Sequence, residues 1–176
     1  DPASKNTFTF ASNIQINYGG YASPPSSSFE GSDIYLNKAD YNDTLADRTY
    51  GALVLIHEVG HALGLKHPFD HEQAGEGGIA DAPYLTGTEE NAIWTVMSYE
   101  KTKAQYQIQF SPLDIAALQY LYGPSKTARA GNDIYKISST EPNFVWDGAG
   151  LDAIDAGALT QAATIYLTPG YQGFLG

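Results

Sequence analysis

The run His57-Glu58-Val59-Gly60-His61-Ala62-Leu63-Gly64-Leu65-Lys66-His67 constrains this 176-residue chain more than any other stretch. From about Thr44 to Leu63 the residues follow a helical pattern, with Asp43 or Thr44 as the expected N-cap. Gly64 fits the helix stop, where a left-handed residue is often needed. Residues four apart on a helix project from one face about a turn apart, so His57 and His61 can reach one ion at roughly 2.0–2.1 Å. Glu58 stands beside them, placed to contact a water on the ion rather than the ion. Gly64 permits a sharp turn, after which His67 can swing back as a third ligand. Three neutral ligands leave an ion Lewis-acidic, with an open position for water and substrate. Glu58 can take the water's proton as it attacks a carbonyl and pass it to the leaving amine. Zinc is preferred because imidazole suits it and no redox change is needed. Without a metal, two histidines and a glutamate on an otherwise apolar helix would be costly core residues.

Around this motif the chain reads as short strands and a second helix. Alternation over residues 7–18 predicts a strand, followed by a loop at Gly19-Gly20 and through the Ser/Pro-rich 23–28. Asp33-Ile34-Tyr35-Leu36-Asn37 predicts another strand. Residues 66–92, rich in Gly, Asp, Glu and Pro, read as a long irregular loop, of a kind that is functional or metal-bound when found in a compact domain. Its Gly-rich part at 75–78 could border a cleft, and His71 reads as a solvated surface residue. Ser111-Pro112-Leu113-Asp114 signals a helix start, with Ser at the N-cap, Pro at N1 and Asp at N3; the helix ends at Gly123-Pro124. The composition shifts near residue 126, which divides the chain into 1–125 and a small all-β appendage, 126–176. In the appendage, β-like pieces at 134–137, 144–146 and 164–167 alternate with Gly/Asp turns.

Two further motifs carry chemistry. Thr95-Val96-Met97-Ser98-Tyr99 holds the single methionine of the chain. Asp147-Gly148-Ala149-Gly150-Leu151-Asp152-Ala153-Ile154-Asp155 approximates a Gly/Asp calcium repeat. In such repeats glycines aim backbone carbonyls inward, aspartates supply hard oxygen ligands, and an apolar residue, here Ile154, points into the roll.

The eleven-residue histidine run and the Met97 turn together resemble the metzincins. Met-Ser-Tyr, His67-Pro68 and the helix from Asp114 to Gly123 look most like the serralysins, secreted bacterial proteases. That resemblance implies an α+β fold: a zincin-like catalytic domain with a mixed twisted sheet and an active-site helix, followed by the start of a calcium-binding β-roll. It implies Met97 as an apolar floor beneath the histidines. It also implies Tyr99 as a further zinc ligand that moves aside and donates to the oxyanion; read by itself, Tyr99 is one of 13 tyrosines that could pack in a core. For calcium it implies the carbonyls of Arg129 and Gly131 with the Asp133 carboxylate from one segment, and Asp147, the Ala149 carbonyl and Asp152 from the other. Asn132 and Asp133 match the family pattern imperfectly. Serralysins carry a longer N-terminal part and further calcium repeats, so a fragment, a nicked or split protein, and a reduced natural form are the competing expectations.

A formal net charge of −11 argues against nucleic acid as a partner. The longest apolar run, 52–56, is too short to cross a membrane. Asp1 opens the chain with no visible signal segment, so an extracellular location is implied by the resemblance, and the absence of cysteine excludes a disulfide framework. The function expected is a secreted zinc endopeptidase of broad specificity, acting on a protein or peptide added as a strand to a sheet edge. Expected partners are that substrate, the remainder of such a protease as a second chain, and a proteinaceous inhibitor. The competing reading is a non-catalytic metzincin-like binding module, which need not keep Glu58. A metal enzyme acting on a non-peptide amide fits the histidines but not the Met97 turn.

Overall fold

The alternation after Thr7 forms a strand, β1 (Thr9–Asn13), shorter than its pattern predicts. The computed structural model describes residues 7–27, 31–38, 44–69, 83–100, 106, 108–141, 143–168 and 170–176; Asp43, His71 and the 75–78 loop lie outside them. The strand stops because the Asn37 side chain captures the backbone beyond it. Gln15 N–H donates to Asn37 Oδ1 at 3.1 Å, and Asn37 Nδ2 donates to the carbonyls of Gln15 and Tyr18 at 3.0 and 2.6 Å. Asn17, at φ 70°, completes the bend. The chain then returns as β2 (Gly20–Ala22), where a loop was expected, and β3 (Asp33–Asn37) forms as expected. β3 lies in the middle of a mixed sheet, parallel to β1 and antiparallel to β2. Tyr21 and Tyr35, directly opposite across β2 and β3, stack at 4.7 Å.

Helix α1 (Tyr50–Ala62) begins six residues later than its periodicity predicts. Arg48, at φ 69°, interrupts the helical backbone, and Thr49 becomes the N-cap, its Oγ1 accepting from Ala52 N–H at 3.2 Å. Gly64 ends the helix as expected, at φ 96°. Gly64 N–H donates to the His61 carbonyl at 2.8 Å and Leu65 N–H to the Gly60 carbonyl at 2.9 Å, the paired bonds of a Schellman turn. Ser32 Oγ and Tyr122 Oη donate to the last carbonyls, of Ala62 and Leu63.

Helix α2 (Pro112–Tyr122) starts and stops where Pro112 and Gly123 direct, but its cap differs from the expected one. Asp114 reaches back to Ser111 N–H at 2.9 Å, whereas the Ser111 hydroxyl donates to the Ala92 carbonyl at 2.8 Å. Asp114 is buried, and burial pushes its carboxyl above the usual range against the lowering pull of Thr95, Val96 and Ser111. Leu65, Val96 and Met97 form a core cluster with Ile56, Phe110, Ala117 and Leu118 packed on it.

The chain divides into two compact units, Asp1–Tyr122 and Gly123–Gly176. In the second, β4 (Ile134–Lys136) pairs in parallel with β5 (Ala153–Asp155), and β6 (Ala163–Thr164) pairs antiparallel with β7 (Phe174–Leu175). The expected strand at 144–146 is not formed, and that at 164–167 is reduced to the β6 pair. Among the described residues these ladders do not make a roll.

Met97 is 1% exposed, and a Cβ built on Gly60 would stand 2.5 Å from its Sδ. Gly60→Ala gains helix propensity of about 1 kcal/mol but overpacks a filled site, at a cost of about 1–3 kcal/mol. A lowered melting temperature is therefore expected; an unchanged or raised one would show that Met97 yields freely.

Candidate metal centre

α1 carries His57 and His61 on one face, and the Schellman turn brings the chain back so that His67 meets them. His67 Nε2 lies 3.1 Å from His57 Nε2 and 3.0 Å from His61 Nε2. The other ring nitrogens face main-chain carbonyls: His57 Nδ1 is 2.8 Å from the Val96 carbonyl, and His61 Nδ1 is 2.9 Å from that of Leu65. A carbonyl only accepts, so both Nδ1 atoms carry the proton and both Nε2 atoms present lone pairs. A proton on His67 Nε2 could bridge only one of the two gaps. A cation resolves both. In a tetrahedral site with bonds of roughly 2.0–2.1 Å, donor nitrogens stand roughly 3.3 Å apart, close to what is seen. His57 and His67 are buried and His61 is half-buried, so the three form a group able to hold a metal ion.

The surroundings fix this group. The His67 ring stacks on Phe69, with centroids 5.0 Å apart and planes 11° from parallel. The Tyr99 ring lies 4.9 Å from His67 and 5.8 Å from His57, and the residue is 43% exposed. Met97, expected as a floor, is buried against Gly60 of α1. Glu58, the expected base, is only 5% exposed. It packs against β2 so closely that a Cβ on Gly20 would meet its Cγ at 2.9 Å, the Tyr35 carbonyl at 3.1 Å and Val54 Cγ1 at 3.1 Å.

The second unit gathers a different set. Carboxylate oxygens of Asp133, Asp147 and Asp152 lie within 4.8 Å of one another. Asp152 Oδ1 accepts from Asp133 N–H at 3.0 Å, Asp147 Oδ1 accepts from Ala149 N–H at 2.9 Å, and Tyr135 Oη donates to Asp147 Oδ2. That last bond pushes the Tyr135 phenol above its usual range. The Gly131 carbonyl and Asp152 Oδ1 both crowd the position a Cβ on Gly150 would take, at 1.8 and 2.9 Å. Arg129 adopts φ 50°, with its guanidinium donating to the Trp146 carbonyl at 3.0 Å. Asn132, a poor match to the repeat, accepts from Leu151 N–H at 3.0 Å and so ties the two segments together.

Some of these roles left no mark that a motif search could find. The Leu65 and Val96 carbonyls are main-chain groups, indifferent to side-chain identity. Gly20 and Phe69 were also missed; the Gly19-Gly20 doublet between two strand-like pieces was the signal for the first.

No protein-family model matches the chain. Among curated proteins it is 34% identical over 197 aligned positions to Serralysin of Proteus mirabilis, covering 94% of this chain and 39% of that protein. It is 35% identical over 167 positions to Metalloprotease AprA of Pseudomonas entomophila (strain L48), covering 80% of this chain and 34% of the relative. With Serralysin C of Dickeya chrysanthemi it shares 32% over 179 positions, covering 89% and 37%. The chain thus spans under two-fifths of the length of these relatives. Over the part it shares with them, it belongs to the serralysin-type metzincins.

Proposed function

We propose that this chain carries the centre of a secreted zinc metalloendopeptidase that hydrolyses proteins with broad specificity. The observation that carries this reading is the convergence of three Nε2 atoms, two of them on rings whose Nδ1 faces a carbonyl, beside a buried glutamate. His57, His61 and His67 would hold zinc, with Tyr99 as a fourth, displaceable ligand. Zinc bound there supplies Lewis acidity toward a carbonyl and lowers the pKa of water. Glu58 takes a proton from the attacking water and returns it to the amide nitrogen as the C–N bond breaks, leaving a carboxylate and an amine. The Tyr99 hydroxyl donates to the oxyanion as it forms. Among the described residues β2 is an edge strand, and it reaches Glu58 through Gly20; an extended peptide adding to that edge would lie beside the base.

The family relationship supports secretion, and no helix among the described residues is long and apolar enough to cross a membrane. A protein substrate, a second chain supplying the rest of a protease, and a proteinaceous inhibitor are the partners this reading entails. In the second unit, Asp133, Asp147 and Asp152, with the carbonyls of Arg129, Gly131 and Ala149, would bind calcium and so begin a β-roll. The three adjacent carboxylates support that assignment.

Glu58→Gln should retain zinc at unchanged stoichiometry, measured by metal analysis, while casein hydrolysis falls about 100- to 10,000-fold. Hydrolysis at the unmodified rate would remove Glu58 from the mechanism.

Calcium at about one hundred times its dissociation constant should stabilise the folded second unit by about 2.7 kcal/mol. Calorimetry with and without EGTA should show the shift in the unmodified chain and lose it in Asp152→Asn. A transition indifferent to calcium would remove the ion from this unit.

A further inference from the structure

One bond orients the His57 ring, from Nδ1–H to the Val96 carbonyl at 2.8 Å. That carbonyl is itself held by two buried side chains. It shares a planar peptide unit with Met97 N–H. Met97 N–H donates to Thr95 Oγ1 at 3.1 Å, and Thr95 Oγ1 donates to Asp114 Oδ1 at 2.6 Å. The peptide plane on the other side of Val96 is held by the same carboxylate, since Val96 N–H donates to Asp114 Oδ2 at 2.9 Å. Thr95 and Asp114 are 4% and 2% exposed, so water does not compete for these bonds.

The direction of each bond follows from the one before it. An ionised Asp114 offers no proton, so the Thr95 hydroxyl proton points at its Oδ1 and an oxygen lone pair faces Met97 N–H. Donation by that N–H polarises its peptide unit and makes the Val96 carbonyl a better acceptor. A carbonyl so fixed selects the Nδ1–H form of His57 and turns its Nε2 lone pair toward His61 and His67.

We propose that Thr95 and Asp114 are positioning residues of the metal centre, which fix the peptide planes flanking Val96 and through them the tautomer and aim of His57. The proposal rests on the three histidines being zinc ligands. A purely structural role would also bury these bonds, since Asp114 caps α2. In that case losing the Thr95 hydroxyl lowers stability and leaves the folded protein's zinc affinity alone.

Zinc dissociation constants, measured against a chromophoric chelator at a temperature where circular dichroism shows every variant folded, separate the two. Thr95→Val should weaken zinc about 10- to 100-fold, the usual cost of losing an outer partner of a metal-bound histidine, with Thr95→Ser within about threefold of the unmodified chain. The visible spectrum of the cobalt-substituted protein should change in Thr95→Val and not in Thr95→Ser. Ser111→Ala removes a bond to the Ala92 carbonyl but no member of the relay; it should melt earlier and bind zinc normally. Thr95→Val binding zinc like the unmodified chain, or Thr95→Ser binding as weakly as Thr95→Val, would overturn the proposal. Should Thr95→Val not fold, 15N NMR of the unmodified zinc-loaded chain reads the His57 tautomer directly. Nδ1–H with Nε2 as ligand is expected, and zinc on Nδ1 overturns the proposal. An unmodified chain that takes up no zinc sinks the zinc reading instead, along with the proposal that rests on it.

Discussion

The Nε2 lone pairs of His57 and His61 both face His67 Nε2, at 3.1 and 3.0 Å, and much of the first unit can be understood as holding them there. Side-chain packing alone would let the rings rotate apart. The restraint comes from the main chain, through one turn used three times. Leu65 N–H closes the Schellman turn onto Gly60, the Leu65 carbonyl takes His61 Nδ1–H, and the same change of direction sends the chain on to His67. Helix termination and ligand placement are therefore one event, and the left-handed φ of Gly64 is what both require.

The helix bearing the histidines is gripped on two sides at distances that forbid a side chain. Gly20 brings β2 onto Glu58 and Val54, and Gly60 admits the sulfur of Met97. Glycine inside a helix costs about 1 kcal/mol relative to alanine, so propensity gives no reason for Gly60. Close approach does. The two contacts also divide α1 between neighbours, with Glu58 turned toward the sheet and Gly60 toward Met97.

How much of this could be read in the sequence depends on whether a role belongs to a side chain or to the backbone. The histidine spacing, Gly64 and Pro112 each demand a residue type, and each stands where the pattern placed it. The strand ends at Asn13, short of the alternation over 7–18, because alternation reports which faces alternate, not whether a partner strand is present. The partner's place is taken by the amide of Asn37, from about twenty residues away in the chain. The helix starts later than its pattern because residues 44–48 fit a helical periodicity, while the left-handed turn at Arg48 is set by local geometry no periodicity records. β2 is not legible because two consecutive glycines signal a loop, whereas here they admit the helix that passes against them.

The two candidate ion sites are prepared in opposite ways, and their dependence on an ion should differ accordingly. The histidine group is mostly buried and made of neutral rings, two of them oriented by carbonyls, so main-chain bonds set much of its geometry. The acidic group is half-buried at Asp133 and Asp147 and exposed at Asp152. Carboxylates within 4.8 Å repel by about 1 kcal/mol per pair in a water-like dielectric. Bonds from Asp133 N–H, Ala149 N–H and Tyr135 Oη offset part of that repulsion and hold the two segments in register. They use oxygens that a cation would also seek, so the second unit is partly satisfied without an ion and gains from one mainly by charge. In the first unit no hydrogen-bond arrangement of three neutral imidazoles satisfies both short nitrogen contacts, whereas a cation held among them would satisfy both.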